Sequence, residues 1–116
     1  MKSPDARSLF ALYHLGLGAD GVYRFRNAHQ CARELGVDAA TFQAWLTSAR
    51  VDQDTASRLA FNVSRWHADA SLSTPAEAPA LVDRAWAAYR EALERGAADG
   101  VQHDLDYDDV WDESIG

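Results

Sequence analysis

The side chains able to do chemistry in this 116-residue chain are four histidines, one cysteine and eighteen carboxylates. His14, His29, His67 and His103 include no pair at i,i+3 or i,i+4, so no two of them share a helix face as ligands of one metal ion. His67-Ala68-Asp69 and His103-Asp104 set an acid close to an imidazole, but the sequence implies no third partner. The single Cys31 rules out an internal disulfide and a cysteine-rich zinc site. Lying beside Ala32 on the inward side of a helix, it reads as a small buried apolar residue rather than a nucleophile. Gly16-Leu17-Gly18 lacks the strand-then-helix setting that makes a glycine loop a phosphate cradle. The C-terminal carboxylates lack the central glycine and closing glutamate of a calcium loop. The expectation is a protein that is not an enzyme and carries no metal or cofactor.

Charge is unevenly spread over the chain. Residues 1–50 carry a net +2 and residues 51–116 a net −9, within a total of −7. Seven acids and no base fall in residues 99–116, so residues 1–98 are neutral overall. That asymmetry predicts a helical domain over 1–98 followed by an acidic, flexible tail over 99–116. No apolar run approaches the roughly 18 residues of a membrane span, and the start lacks a signal peptide's apolar stretch, so a cytoplasmic location is expected. Ten arginines against one lysine, with abundant alanine, resemble GC-rich bacterial coding.

The elements that must position these groups read as helices. Ser3 caps the first, with Pro4 in its opening turn; Leu9, Phe10, Leu12 and Tyr13 follow until Gly16 and Gly18 stop it. Ala19-Asp20-Gly21 is a turn, and Val22–Phe25 reads as briefly extended. Asn27 and Gln30 form a capping pair for a helix over 28–35, ended by Gly36. Asp38 caps a helix over 39–50 that carries Phe42, Trp45, Leu46 and Ala49 on one side. Asp54 caps a fourth over 55–70, with a stripe from Ala56 to Ala70. Residues 71–78 read as a linker. Pro79 then sits in the first turn of a fifth helix running to Gly96, with Val82, Ala85, Trp86, Tyr89 and Leu93 as its stripe. The expected fold is an all-α compact bundle of about five helices around one core.

Residues 28–46, AHQCARELGVDAATFQAWL, place small Ala32 where two helices would touch, Gly36 at a turn, Val37 after it, and Thr41, Phe42 and Trp45 on the following helix. In that spacing the segment, about a fifth of the chain, resembles the helix-turn-helix superfamily, as a unit over 28–50. The resemblance implies a second helix showing Asp38, Ala39, Ala40, Gln43, Ala44 and Thr47 outward, with Gln43 suited to adenine. DNA-contacting residues would then be Arg24, Arg26, Arg33, Gln43, Thr47 and Arg50, with His29 nearby. This is a thin basic footprint for phosphate neutralisation, and the acidic tail competes for it.

Two further constellations point to protein contact. Arg58, Asn62, Arg65 and Asp69 fall on one polar side of the expected fourth helix, where mid-helix Asn62 wants a hydrogen-bond partner. In the tail, Tyr107, Val110, Trp111 and Ile115 make a stripe among acids if the segment turns helical. That stripe could dock in a partner's groove, fold back on the domain's own core, or cover the arginines around 24–33. The chain therefore reads as a non-enzymatic bacterial regulatory adaptor. It would act by protein–protein interaction through the helix-turn-helix-like domain and the acidic aromatic tail. The expected partner is another protein with a basic or apolar groove, and no membrane is involved. The alternative is a DNA-binding transcriptional regulator, whose footprint a homodimer would double.

Overall fold

The structure, a computed structural model, describes the backbone of residues 3–106 and the side chains of residues 3–96. The chain forms α1 (Ala6–Phe10), which widens into a π-helical turn (Ala11–Leu15). It continues through α2 (Ala28–Glu34), α3 (Ala39–Ser48), α4 (Gln53–Ser57), α5 (Val63–Ser71) and α6 (Ala78–Asp106). The fold is all-α, and among the described residues the one β pairing is an isolated antiparallel bridge between Leu17 and Tyr23. Tyr107, Val110, Trp111 and Ile115 lie outside the described residues.

Local chemistry accounts for most helix starts. Asn27 and Gln30 close a reciprocal capping box, each side chain accepting from the other's backbone N–H at 2.8 and 2.9 Å. Asp38 accepts from Thr41 N–H at 2.8 Å to open α3. The cap of α1 is Asp5, which accepts from Ser8 N–H at 2.7 Å, and not Ser3. A carboxylate caps as well as a hydroxyl and adds a favourable charge at the dipole's positive end. The supposed linker holds a second reciprocal box. Thr74 N–H donates to Glu77 Oε1 (2.8 Å) and Glu77 N–H to Thr74 Oγ1 (3.3 Å), so the approach to α6 begins one turn ahead of Pro79.

Two expected helices are corrected. The continuous helix over 55–70 is in fact α4 and α5, broken at Arg58–Asn62. Asn62 is not mid-helix: it caps α5, its side chain accepting from Arg65 N–H at 3.1 Å. The break turns Phe61 into the core, edge-on to Tyr89 at 5.2 Å and Phe10 at 5.8 Å. Packing of that ring outweighs the helical periodicity of Leu59, Val63 and Trp66. The second correction is Gly96, which does not end α6. A Cβ there would sit 2.9 Å from Leu59 Cδ2, so its glycine lets the helix pass close over α4's end.

The core gathers around Phe10, whose ring lies 4.9 Å from Tyr89 and 5.3 Å from Trp86. Such aromatic pairs contribute about 0.5–1.5 kcal/mol each beyond their buried area. From α6 come Leu81, Val82, Ala85 and Tyr89, all buried, with Trp86 and Leu93 packed alongside; α3 supplies Phe42 and Leu46.

Candidate functional site

The unit α2–turn–α3 is built by backbone capping. The chain leaves α2 through Gly36, at φ 76°; Gly36 N–H donates to Arg33 O (3.1 Å) and Val37 N–H to Ala32 O (3.0 Å). This double bond pattern needs a left-handed residue, which glycine adopts without strain. Ala32 is buried and Val37 packs on the core. Cys31 is buried as expected, and burial pushes its thiol up to about 11, so it stays protonated at neutral pH. α3 ends in the same bond pattern, with Arg50 N–H on Thr47 O (3.1 Å) and Val51 N–H on Leu46 O (2.9 Å), but here the left-handed residue is Arg50, at φ 60°.

The residues expected to meet DNA separate into two groups. Arg24, Arg33, Gln43, Thr47 and Arg50 are exposed, as is His29. Arg26 is not: its side chain is 5% exposed, bound through Nε to Glu34 Oε1 at 2.9 Å. Its Nη1 donates to the carbonyls of Gly16 (3.0 Å) and Arg24 (3.3 Å). Arg26 is therefore a brace holding the 16–26 loop to α2, which removes it from the expected footprint. Outward-facing Ala40, Gln43, Ala44, Thr47 and Ser48 are exposed on α3, and none is basic.

The polar stripe on the expected fourth helix is likewise dispersed by the break. Arg58 pairs with Asp54 at 2.6 Å on α4, and Asn62 is occupied as a cap. Arg65 and Asp69 remain exposed on α5, and among the described residues no ion pair joins them.

The histidines, scattered in sequence, are partly united by the fold. Buried His14 donates from Nε2 to Val51 O at 2.6 Å, and its own carbonyl accepts from His67 Nδ1 at 3.1 Å. With Nδ1 protonated, His67 Nε2 accepts from the Tyr23 hydroxyl. Both ring nitrogens of His67 are thus committed to holding the loop and α5 on the π-helical turn, which leaves neither poised as a base. Tyr23 and Phe25, two apart in an extended segment, both set their rings edge-on to His67, at 5.3 and 6.0 Å. The extended reading of Val22–Phe25 was the available signal for this shared face. Phe25 is 73% exposed and Leu72 83%; with Val22 they lie on the loop and the α5–α6 turn, two segments that meet where Gly21 approaches Pro75 O.

A cleft of about 580 Å³ lies between α1, residues 17–21 and the start of α6. Its apolar lining includes Leu9, Leu12, Leu17, Leu35 and Val82. At its rim Arg7 pairs with Asp83 at 2.7 Å, and Asp20 and Glu34 stand beside Gly18. Sequence periodicity gave no sign of this cleft, because residues from four separate segments form it. Among the described residues no group of three or more His, Cys, Asp or Glu side chains is placed to hold a metal ion. None of the described helices is long and apolar enough to cross a membrane. Comparison with known protein families, with curated proteins and with solved structures finds no match.

Proposed function

We propose that this chain is a bacterial regulatory adaptor that works by protein–protein contact through its helix-turn-helix-like unit and neighbouring loop, with the acidic aromatic tail as a second contact. The observation that carries this reading is the character of the outward face of α3. Ala40, Gln43, Ala44, Thr47 and Ser48 offer no cation, and Arg26 is withdrawn as a brace. A DNA reader draws much of its affinity from phosphate neutralisation. Phe25 and Leu72, each largely exposed, add apolar side chains that a protein partner can cover.

The test is an anisotropy titration of mixed-sequence duplex DNA with the full chain across a range of salt. No binding into the high micromolar range at low salt is the expected result. Binding that falls steeply with salt and disappears in the double variant Arg33→Ala/Gln43→Ala would overturn the reading in favour of a transcriptional regulator.

A further inference from the structure

The cleft beside Gly18 holds the most specific chemistry on the surface. An added Cβ at Gly18 would lie 3.4 Å from Asp20 Oδ1, 3.5 Å from Arg26 Nη2 and 3.9 Å from Glu34 Oε2. Gly18 thus keeps open a small cradle walled by acceptors on two sides and a donor on the third. Arg26 is the unusual member. Its side chain is 95% buried by the 5% exposure above, yet Nη2 has no hydrogen-bond partner among the described residues, while Nε and Nη1 are fully used. Buried guanidinium donors require acceptors. Behind the cradle lies the apolar floor of Leu9, Leu12, Leu17, Leu35 and Val82.

We propose that this cleft is a docking groove for a short peptide segment of the partner protein, carrying aliphatic side chains with basic flanks, whose backbone crosses the loop at Gly18. A peptide backbone crossing at Gly18 supplies N–H groups for Asp20 and Glu34, the two carboxylates that line the cleft. Close approach of backbone to backbone is what a residue without a side chain permits. Aliphatic side chains fill the floor, whose volume falls in the roughly 300–1,000 Å³ range of ligand pockets. The charge balance selects the flanks. Arg7 with Asp83 and Arg26 with Glu34 cancel in pairs, while Asp20 has no cationic partner among the described residues. The inference rests on the protein-contact reading above and names the partner chemistry at one place on that surface.

The experiment is a set of amide chemical-shift titrations on the full chain with three probes. They are the blocked peptide Lys-Leu-Ala-Leu-Lys, its counterpart Glu-Leu-Ala-Leu-Glu, and a mixed-sequence DNA duplex. Saturable shifts at Leu17, Gly18, Gly21 and Leu35, several-fold tighter for the lysine peptide, are expected. Gly18→Ala should weaken that binding about tenfold or more. It should fold normally, because its new Cβ meets nothing nearer than 3.4 Å. Asp20→Asn keeps the oxygen that accepts from Val22 N–H and should erase the preference for lysine over glutamate. It also decides the matter should Gly18→Ala fail to fold. Absence of cleft shifts at millimolar peptide, equal binding of both peptides, or unchanged binding by Gly18→Ala overturns the inference. Lysine-peptide shifts at Phe25 and Leu72 alone would overturn the cleft but leave protein contact standing. Duplex shifts at Gln43 and Thr47 would overturn the underlying reading itself.

Discussion

The Tyr89 hydroxyl, on α6, donates a 2.7 Å hydrogen bond to the carbonyl of Arg50, the one non-glycine residue at positive φ among the described residues. A left-handed arginine costs about 1–2 kcal/mol relative to ordinary backbone. The turn is held in place from both sides: Tyr89 fixes the Arg50 carbonyl and His14 fixes that of Val51. Burial pushes the Tyr89 phenol up to about 12, so it remains a donor across the neutral range.

Arg50→Gly should accordingly stabilise the protein. The gain is the left-handed strain less the extra backbone entropy of glycine in the unfolded chain, a net of about 0.5 kcal/mol. Tyr89→Phe should destabilise by about 1–3 kcal/mol, since it strands the Arg50 carbonyl. Urea unfolding of both variants checks the pair. A destabilised Arg50→Gly would mean that the arginine side chain holds something the backbone does not.

Acid should weaken the fold through His14. Its burial pushes the imidazole pKa below 6.5, and this outweighs the opposing Val51 hydrogen bond and Asp52 charge. The native state therefore keeps His14 neutral while the unfolded chain takes up a proton below about pH 6.5. The unfolded state binds more protons in that window, so this contribution is complete above pH 6.5 and shrinks as pH falls beneath it. Hydrogen bonds from Ser8 and Thr41 hold the capping carboxylates Asp5 and Asp38 below 3.8. Their stabilisation is present above 3.8 and is lost only at still lower pH. Melting temperature measured from pH 7.5 to 5 should fall in the native protein. His14→Gln, which keeps a donor for Val51, should flatten that slope; an unchanged slope would remove His14 from the account.

Gly16 and Gly36 share nearly the same backbone, φ 72° and 76°, but not the same surroundings. A Cβ at Gly16 would meet Arg24 O at 2.7 Å and the Tyr23 ring at 2.9 Å, whereas at Gly36 nothing lies within 4 Å. Gly36→Ala should therefore cost only the left-handed strain, about 1 kcal/mol. Gly16→Ala should cost that and a displaced loop, about 3 kcal/mol or more. Equal losses in thermal or urea unfolding would show that the 16–24 loop yields freely.

What the sequence made legible was local. The Asn27–Gln30 box, the Asp38 cap and the Gly36 turn each depend on groups within a few residues, and all three are where spacing put them. The break at Arg58–Asn62 was hidden because its cause lies far along the chain, in Phe61 packing on Phe10 and Tyr89. The same holds for His14 on Val51, 37 residues away, and for the cleft. Asn62 offers a direct check on the lesson. In mid-helix, Asn62→Ala would stabilise by its better helix propensity; as the cap of α5 it should destabilise by about 0.5–2 kcal/mol.

Arg26 shows how a charge that looks like a ligand contact can be internal. Removing it leaves the Arg24 carbonyl without its donor, the Gly16 carbonyl with the Arg24 N–H alone, and Glu34 without its partner. Glu34 is 44% exposed and can rehydrate, so the loss falls toward the lower end for broken buried pairs, about 3 kcal/mol for Arg26→Ala. Glu34→Gln, which keeps an acceptor oxygen, should cost about 1 kcal/mol. Exposed Arg33→Ala should stay within roughly 0.5 kcal/mol of the native protein. Urea unfolding of the three variants orders them. An Arg26→Ala protein as stable as Arg33→Ala would return Arg26 to the surface and, with it, restore the basic footprint that a DNA contact requires.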